Sequence, residues 1–219
     1  MIQLKKLTKS YKTKVGRNWV LKDVTLDIPE ENVAILGPNG SGKSTLLKII
    51  GGIDYPDCGT LECHKTISWP LGLKSGFIRD LSAKENCSLI LQLHGLDHRL
   101  IKKKLSLIKE IAGIGNYFDE PVKYFSSGMA SRIGFALSMA FEFEILLMDE
   151  ITAVGDQDFQ IHAKNILGEK RKKTNIIFVS HSLVSMRSFC DSGIIIKDGN
   201  LDYYEKIGDA IDTYVKKET

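Results

Sequence analysis

Eight consecutive residues are equipped for chemistry: Gly37-Pro38-Asn39-Gly40-Ser41-Gly42-Lys43-Ser44. They match the phosphate-binding loop pattern G-x-x-x-x-G-K-[ST] without a gap. Each residue type has a task on a nucleoside triphosphate. Glycines let successive backbone N–H groups turn inward onto phosphate oxygens, in conformations that a Cβ would block. Lys43 brings a point charge to the β- and γ-phosphates, and the Ser44 hydroxyl can ligate Mg²⁺. A plain glycine-rich turn would not need Lys and Ser in this register.

Three further groups carry chemistry. The run Ile145-Leu146-Leu147-Met148-Asp149-Glu150 is apolar and ends in two acids. A buried strand delivers such acids at its C-terminal end, where ligands bind in open α/β sheets. Asp149 would assist Mg²⁺ alongside Ser44, and Glu150 would orient or deprotonate an attacking water. Paired acids also close ordinary turns; the phosphate loop upstream favours the chemical reading. His181 follows the apolar run Ile176–Val179. Its imidazole either senses a γ-phosphate or is a satisfied loop histidine. Finally, Ser126-Ser127-Gly128-Met129 precedes a helical pattern with Met129, Ile133, Ala136, Leu137 and Ala140 on one face. Ser126 or Ser127 is the N-cap. This tip either simply caps the helix or forms a second anion-binding surface.

The elements that must position these groups are legible in outline. Asn32–Leu36 reads as a buried parallel strand and Thr45–Ile50 as the helix whose N-terminus faces the phosphates. Alternation from Ile2 to Ile28 predicts short strands before the loop. Pro56-Asp57-Cys58-Gly59-Thr60 has the composition of a turn. Residues 72–85 read as irregular, and a helical pattern runs from about Ala83 to Tyr117, with Lys102-Lys103-Lys104 as its solvated face. Ile145–Met148, Ile176–Val179 and Ile194–Ile196 read as strands, with a hairpin turn at Lys197–Asn200. The order predicts an α/β nucleotide-binding core with a mostly helical insertion.

The chain has 219 residues, 43% hydrophobic and 26% charged. These values suit a water-exposed globular domain with a sizeable core. Net charge is +3, from 30 basic and 27 acidic residues, too balanced to indicate a nucleic acid partner. The first residues lack the apolar region of a secretory signal, and no stretch reaches the length of a membrane span. Work at a membrane would need an integral partner. Cys58, Cys63, Cys87 and Cys190 form no C-x-x-C pair, so they read as structural or free thiols rather than a zinc site.

In this order the motifs resemble the ATP-binding subunits of ABC transporters, over nearly the whole chain. Gly37–Ser44 resembles Walker A, Phe125–Met129 the signature motif, and Ile145–Glu150 Walker B. Ala153-Val154-Gly155-Asp156 resembles the D-loop, His181 the switch histidine and Tyr11 the aromatic that stacks on adenine. Gly51–Asp57, Ile67–Leu73 and Thr152–Asp156 are similar to the polysaccharide-exporter branch, and within it to the capsular-polysaccharide exporters. Teichoic-acid exporters share several of these submotifs. O-antigen exporters often add a C-terminal sugar-binding domain, and this chain stops at Thr219.

The resemblance implies a P-loop NTPase (RecA-like) core at about 1–75 and 140–219, with an N-terminal antiparallel β-subdomain and a helical subdomain at about 76–139. It implies ATP and Mg²⁺ as cofactors. Nucleotide contacts fall at Tyr11, Gly37, Pro38, Asn39, Gly40, Ser41, Gly42, Lys43, Ser44, Thr45, Ser126, Ser127, Gly128, Met129 and Asp156. Lys43, Glu150 and His181 are catalytic, and Ser44 and Asp149 hold the metal. A second copy, paired head to tail, supplies the signature in trans. An integral permease completes the exporter at the cytoplasmic face of the inner membrane, with the polysaccharide engaged only indirectly. The rivals are teichoic-acid or O-antigen export, a soluble non-transport ABC-type ATPase, or a low-turnover regulator. Repair ATPases of the family separate the Walker motifs by long coiled coils, whereas about 106 positions separate Lys43 from Asp149 here. The chain departs from the family pattern at Gly76-Phe77-Ile78-Arg79, where Ile78 stands in place of a glutamine that contacts Mg²⁺ and water. A second departure puts Ser127 and Met129 where Gly and Gln are usual.

Overall fold

The computed structural model describes residues 1–14, 16–71, 76–149 and 156–218. Two strands open the chain, β1 (Ile2–Thr13) and β2 (Gly16–Ile28). They are long rather than short, and bulges near Leu4, Leu7 and Lys9 break the alternation that would have announced their length. Next come β3 (Val33–Leu36), α1 (Lys43–Ile50) and β4 (Cys58–Cys63). β4 lies where composition suggested a turn. Gly59 explains the difference: with φ +85 it packs so closely on β1 that a Cβ would stand 2.3 Å from the Lys6 carbonyl oxygen. It is a residue of a bulged strand, not of a loop. The three strands form an antiparallel sheet in the order β2-β1-β4.

The helical stretch divides into α2 (Ala83–Leu93), α3 (His98–Ala112), two short 3-10 turns and α4 (Ser127–Met139). The pattern 83–117 is thus interrupted, by Gly95 and by Asp97, whose carboxylate caps α3 through the Leu100 N–H at 2.8 Å. A capping box between Ser82 and Glu85 starts α2. Lys104 is not part of a solvated face: its ammonium donates to the Ala140 carbonyl and lies 5.9 Å from the Phe141 ring centroid.

β5 (Ile145–Asp149), α5 (Gln157–Lys170), β6 (Asn175–Val179), α6 (Leu183–Phe189), β7 (Ser192–Lys197), β8 (Asn200–Tyr204) and α7 (Ile207–Glu218) complete the chain. The second sheet runs β5-β6-β3-β7-β8, parallel except for β8. Its inner strands are buried on both faces, hence their unbroken apolar runs. Val33, Ile35, Leu147, Ile177, Val179, Ile194 and Ile196 join α1 and the antiparallel sheet in one core. The β7–β8 hairpin closes with Asp198 and Gly199 both at positive φ, the two-residue turn expected there.

The chain divides into two compact units, one of 1–70, 143–150 and 169–219, the other of 71–142 and 151–168. The first holds both sheets. The second holds α2, α3, α4 and most of α5, with Phe135 and Phe159 meeting edge to face at 5.7 Å.

Candidate nucleotide site

The phosphate loop joins the end of β3 to α1. A Cβ on Gly37 would meet the Ile196 carbonyl oxygen at 2.6 Å, and one on Gly42 would meet the Val20 side chain at 2.3 Å. Both glycines also hold positive φ, so the loop lies on its neighbours in a shape only glycine allows. Lys43 is buried; its ammonium donates to the Gly37 and Pro38 carbonyls at 2.6 and 2.8 Å. The Ser41 hydroxyl is buried with no hydrogen-bond partner among the described residues.

A cavity of about 340 Å³ opens on this loop. It is lined by Asn39, Gly40, Gly42, Lys43, Ser44 and Thr45, by Tyr11, Asn18 and Val20 of the antiparallel sheet, and by Asp149, Val179 and His181. Asp149 ends β5 and pairs in register with Val179 of β6. Adjacent parallel strands therefore deliver the acid and the histidine to one edge. The Ser44 hydroxyl and the Asp149 carboxylate are hard oxygen donors on one cavity, a set that suits Mg²⁺. Together with the partnerless Ser41 hydroxyl and the glycine-shaped cradle, they fit a metal-bound triphosphate.

Tyr11 is the aromatic wall. Its hydroxyl donates to Asp54 at 2.6 Å. Partial burial raises its pKa, as does the Asp54 carboxylate, while the Thr45 hydroxyl acts in the opposite sense.

In the other unit, Ser126, Gly128, Met129 and Asp156 line a separate cavity of about 400 Å³ with Gly113, Ile114, Tyr117 and Arg132. Ser126 is the N-cap of α4, its hydroxyl accepting from the Met129 N–H at 3.2 Å. Ser127 is the first helical residue. Asp156 accepts from the Phe159 N–H at 3.0 Å and pairs with Arg132 at 2.5 Å. Both interactions hold its pKa down, the backbone hydrogen bond foremost. Glu150 and Ala153–Gly155 lie outside the described residues. Ile78 is half exposed and held by its backbone, its N–H donating to Asn86 at 2.7 Å and its carbonyl accepting from the Asn86 amide at 3.0 Å.

A family described as "ABC transporter" matches residues 21–153. The chain belongs to the ABC transporter family. As an ABC cassette it is similar to the polysialic acid transport ATP-binding protein KpsT of Escherichia coli, 46% identical over 98% of this chain and 96% of that one. It is also similar to the capsule polysaccharide export ATP-binding protein CtrD of Neisseria meningitidis serogroup B, 38% identical over 98% of each chain. A solved dimer of the ATP-binding cassette MJ0796 in a post-hydrolysis state, bound to ADP and Pi, superposes with a TM-score of 0.80 at 27% identity. That match covers 94% of this chain and 99% of that one. The cassette thus has the α/β P-loop NTPase fold with an antiparallel β-subdomain and a helical insertion. No helix among the described residues is long and apolar enough to cross a membrane.

The sequence alone did not single out Lys9, Asp54 and Asn18 near Tyr11, nor Tyr117 and Arg132 beside the signature. Cross-strand register would have flagged Asn18, which pairs directly with Tyr11. Spacing from the phosphate loop points to none of the others.

Proposed function

We propose that this cassette binds and hydrolyses ATP to drive export of a capsular or related cell-surface polysaccharide. It works at the cytoplasmic face of the inner membrane, through an integral permease. The observation that carries the proposal is one cavity uniting Tyr11, Lys43, Ser44, Asp149 and His181. The end-to-end similarity to KpsT and CtrD supports the polysaccharide substrate.

Phosphoryl transfer needs positioning and charge stabilisation more than covalent help. Lys43 and the loop amides neutralise phosphate charge. Ser44 and Asp149 would hold Mg²⁺, which, when bound, supplies additional positive charge to the phosphate oxygens. Glu150 activates water, and His181 reads the γ-phosphate. Ser126, Ser127, Gly128, Met129 and Asp156 face the nucleotide of a second copy, paired head to tail; the dimeric neighbour supports that assembly.

The test is purified Glu150→Gln. It retains ATP binding, loses roughly 10²- to 10³-fold in turnover and accumulates as an ATP-dependent dimer in size-exclusion chromatography. Hydrolysis at the wild-type rate would sink the role of Glu150. A low-turnover regulator is the second reading, favoured by the apolar Ile78 in place of glutamine. ATPase assays with and without the co-purified membrane partner separate the two, because an exporter is stimulated by its permease.

A further inference from the structure

Tyr11 is not a free-swinging aromatic. Its phenol donates to Asp54 Oδ2 at 2.6 Å, while Asp54 Oδ1 accepts from the Lys9 ammonium at 2.6 Å and from the Tyr55 N–H at 2.8 Å. Lys9 is itself buried and donates again to the Tyr55 carbonyl at 2.6 Å. Its Nζ lies 5.1 Å from the centroid of the Tyr11 ring, over one face. Tyr11 lines the cavity and Lys9 does not. Asp54 in turn is anchored to α1: the Ile53 and Asp54 N–H groups both donate to the Lys48 carbonyl, at 2.9 and 3.2 Å. The tether thus starts from the C-terminal end of the helix that opens with Lys43.

We propose that Asp54 is a positioning residue for the nucleotide base: with Lys9 behind the ring, it fixes Tyr11 so that one aromatic face is offered to an adenine. This rests on the nucleotide reading of the cavity given above. The physical reason is entropic. A surface tyrosine with free torsions loses that freedom when a base stacks on it, whereas a ring already held by its hydroxyl has less to lose. Lys9 is buried and Asp54 partly so, and neither lines the cavity, so their effect must pass through Tyr11.

The experiment compares ATP with inorganic tripolyphosphate, which has the phosphates but no base, by calorimetric titration at neutral pH. Tyr11→Phe removes one hydroxyl and leaves the Lys9–Asp54 pair in place, so it preserves the fold; Asp54→Ala cuts the tether from the other end. Both variants are expected to bind ATP about three- to tenfold more weakly, the scale of one modest hydrogen bond. Tripolyphosphate should bind as in the wild type, and the double variant should be no weaker for ATP than the weaker single. The proposal is overturned if Tyr11→Phe binds ATP as tightly as wild type. It is equally overturned if both ligands weaken in parallel, since that marks a general loss of structure. A wild-type protein that binds neither ligand would instead overturn the nucleotide reading itself, and the tether with it.

Discussion

At position 37 a methyl group decides whether the phosphate loop can form. The Cβ of an alanine would press on the Ile196 carbonyl oxygen at 2.6 Å and on the Ser41 hydroxyl at 2.7 Å, and the residue would have to hold φ +151. Gly37→Ala is therefore expected to lose about 1–3 kcal/mol of stability, measured by urea unfolding, and to lose ATP binding with it. Lys43→Ala probes the same loop without a steric clash. It removes a buried ammonium and should cost roughly 10²- to 10³-fold in turnover, read in a steady-state phosphate-release assay. These residues were legible because their chemistry lies in contiguous spacing. The tether on Tyr11 was not, because Lys9 and Asp54 are 45 positions apart and meet only once β1 and the end of α1 are packed. The second role of Asp156, as a cap paired with Arg132, was hidden for the same reason.

Among the elements, strands buried on both faces announced themselves; of those with an exposed face, β1 and β2 showed as shorter strands than they are, and β4 did not show at all. β3 and β5 are nearly solid apolar runs. β4 exposes most of its residues and carries a glycine, so its composition imitates a loop. Its place beside β1 depends on Gly59, and Gly59→Ala should destabilise the antiparallel sheet by about 1–3 kcal/mol. Gly168 is the contrasting case: it lies in α5, and an added methyl group would meet nothing within 4 Å. Gly168→Ala should raise stability by about 0.5–1 kcal/mol through helix propensity and reduced freedom of the unfolded chain. The antiparallel sheet region also carries acid sensitivity. Lys65 and the chain N-terminus hold Glu30 down to about 2, Lys9 lowers Asp54, and Ser10 lowers Asp57. Carboxylates depressed in the folded state stabilise it above their unfolded values of about 4, and that contribution is lost as pH falls toward 2. Urea midpoints should therefore drop over this window, and less steeply in Asp54→Asn/Asp57→Asn.

For the whole molecule, thiol chemistry offers a direct reading of what is inside. Burial pushes the Cys87 and Cys190 thiols up to about 12, while Cys58 is exposed and Cys63 half-buried. Native protein treated with iodoacetamide at pH 8 should be alkylated at Cys58 and Cys63 and spared at the other two, as mapped by peptide mass spectrometry. Labelling of Cys87 before unfolding would contradict the packing. The second unit joins 71–142 to 151–168, and no local signal marks the point at which the chain re-enters it, because that return is made by tertiary packing rather than by composition. The strand order has a consequence in time. β3, which carries the phosphate loop, lies between β6 and β7, pairing Val33 with Ile177 and Ser192. At about 5–20 residues per second of synthesis, roughly 10–30 s pass before its flanking strands exist. Throughout that interval the nascent chain displays the complete phosphate-binding motif on a strand with no neighbours, and a ribosome stalled before residue 192 would hold a chain that spells the motif yet cannot grip a nucleotide.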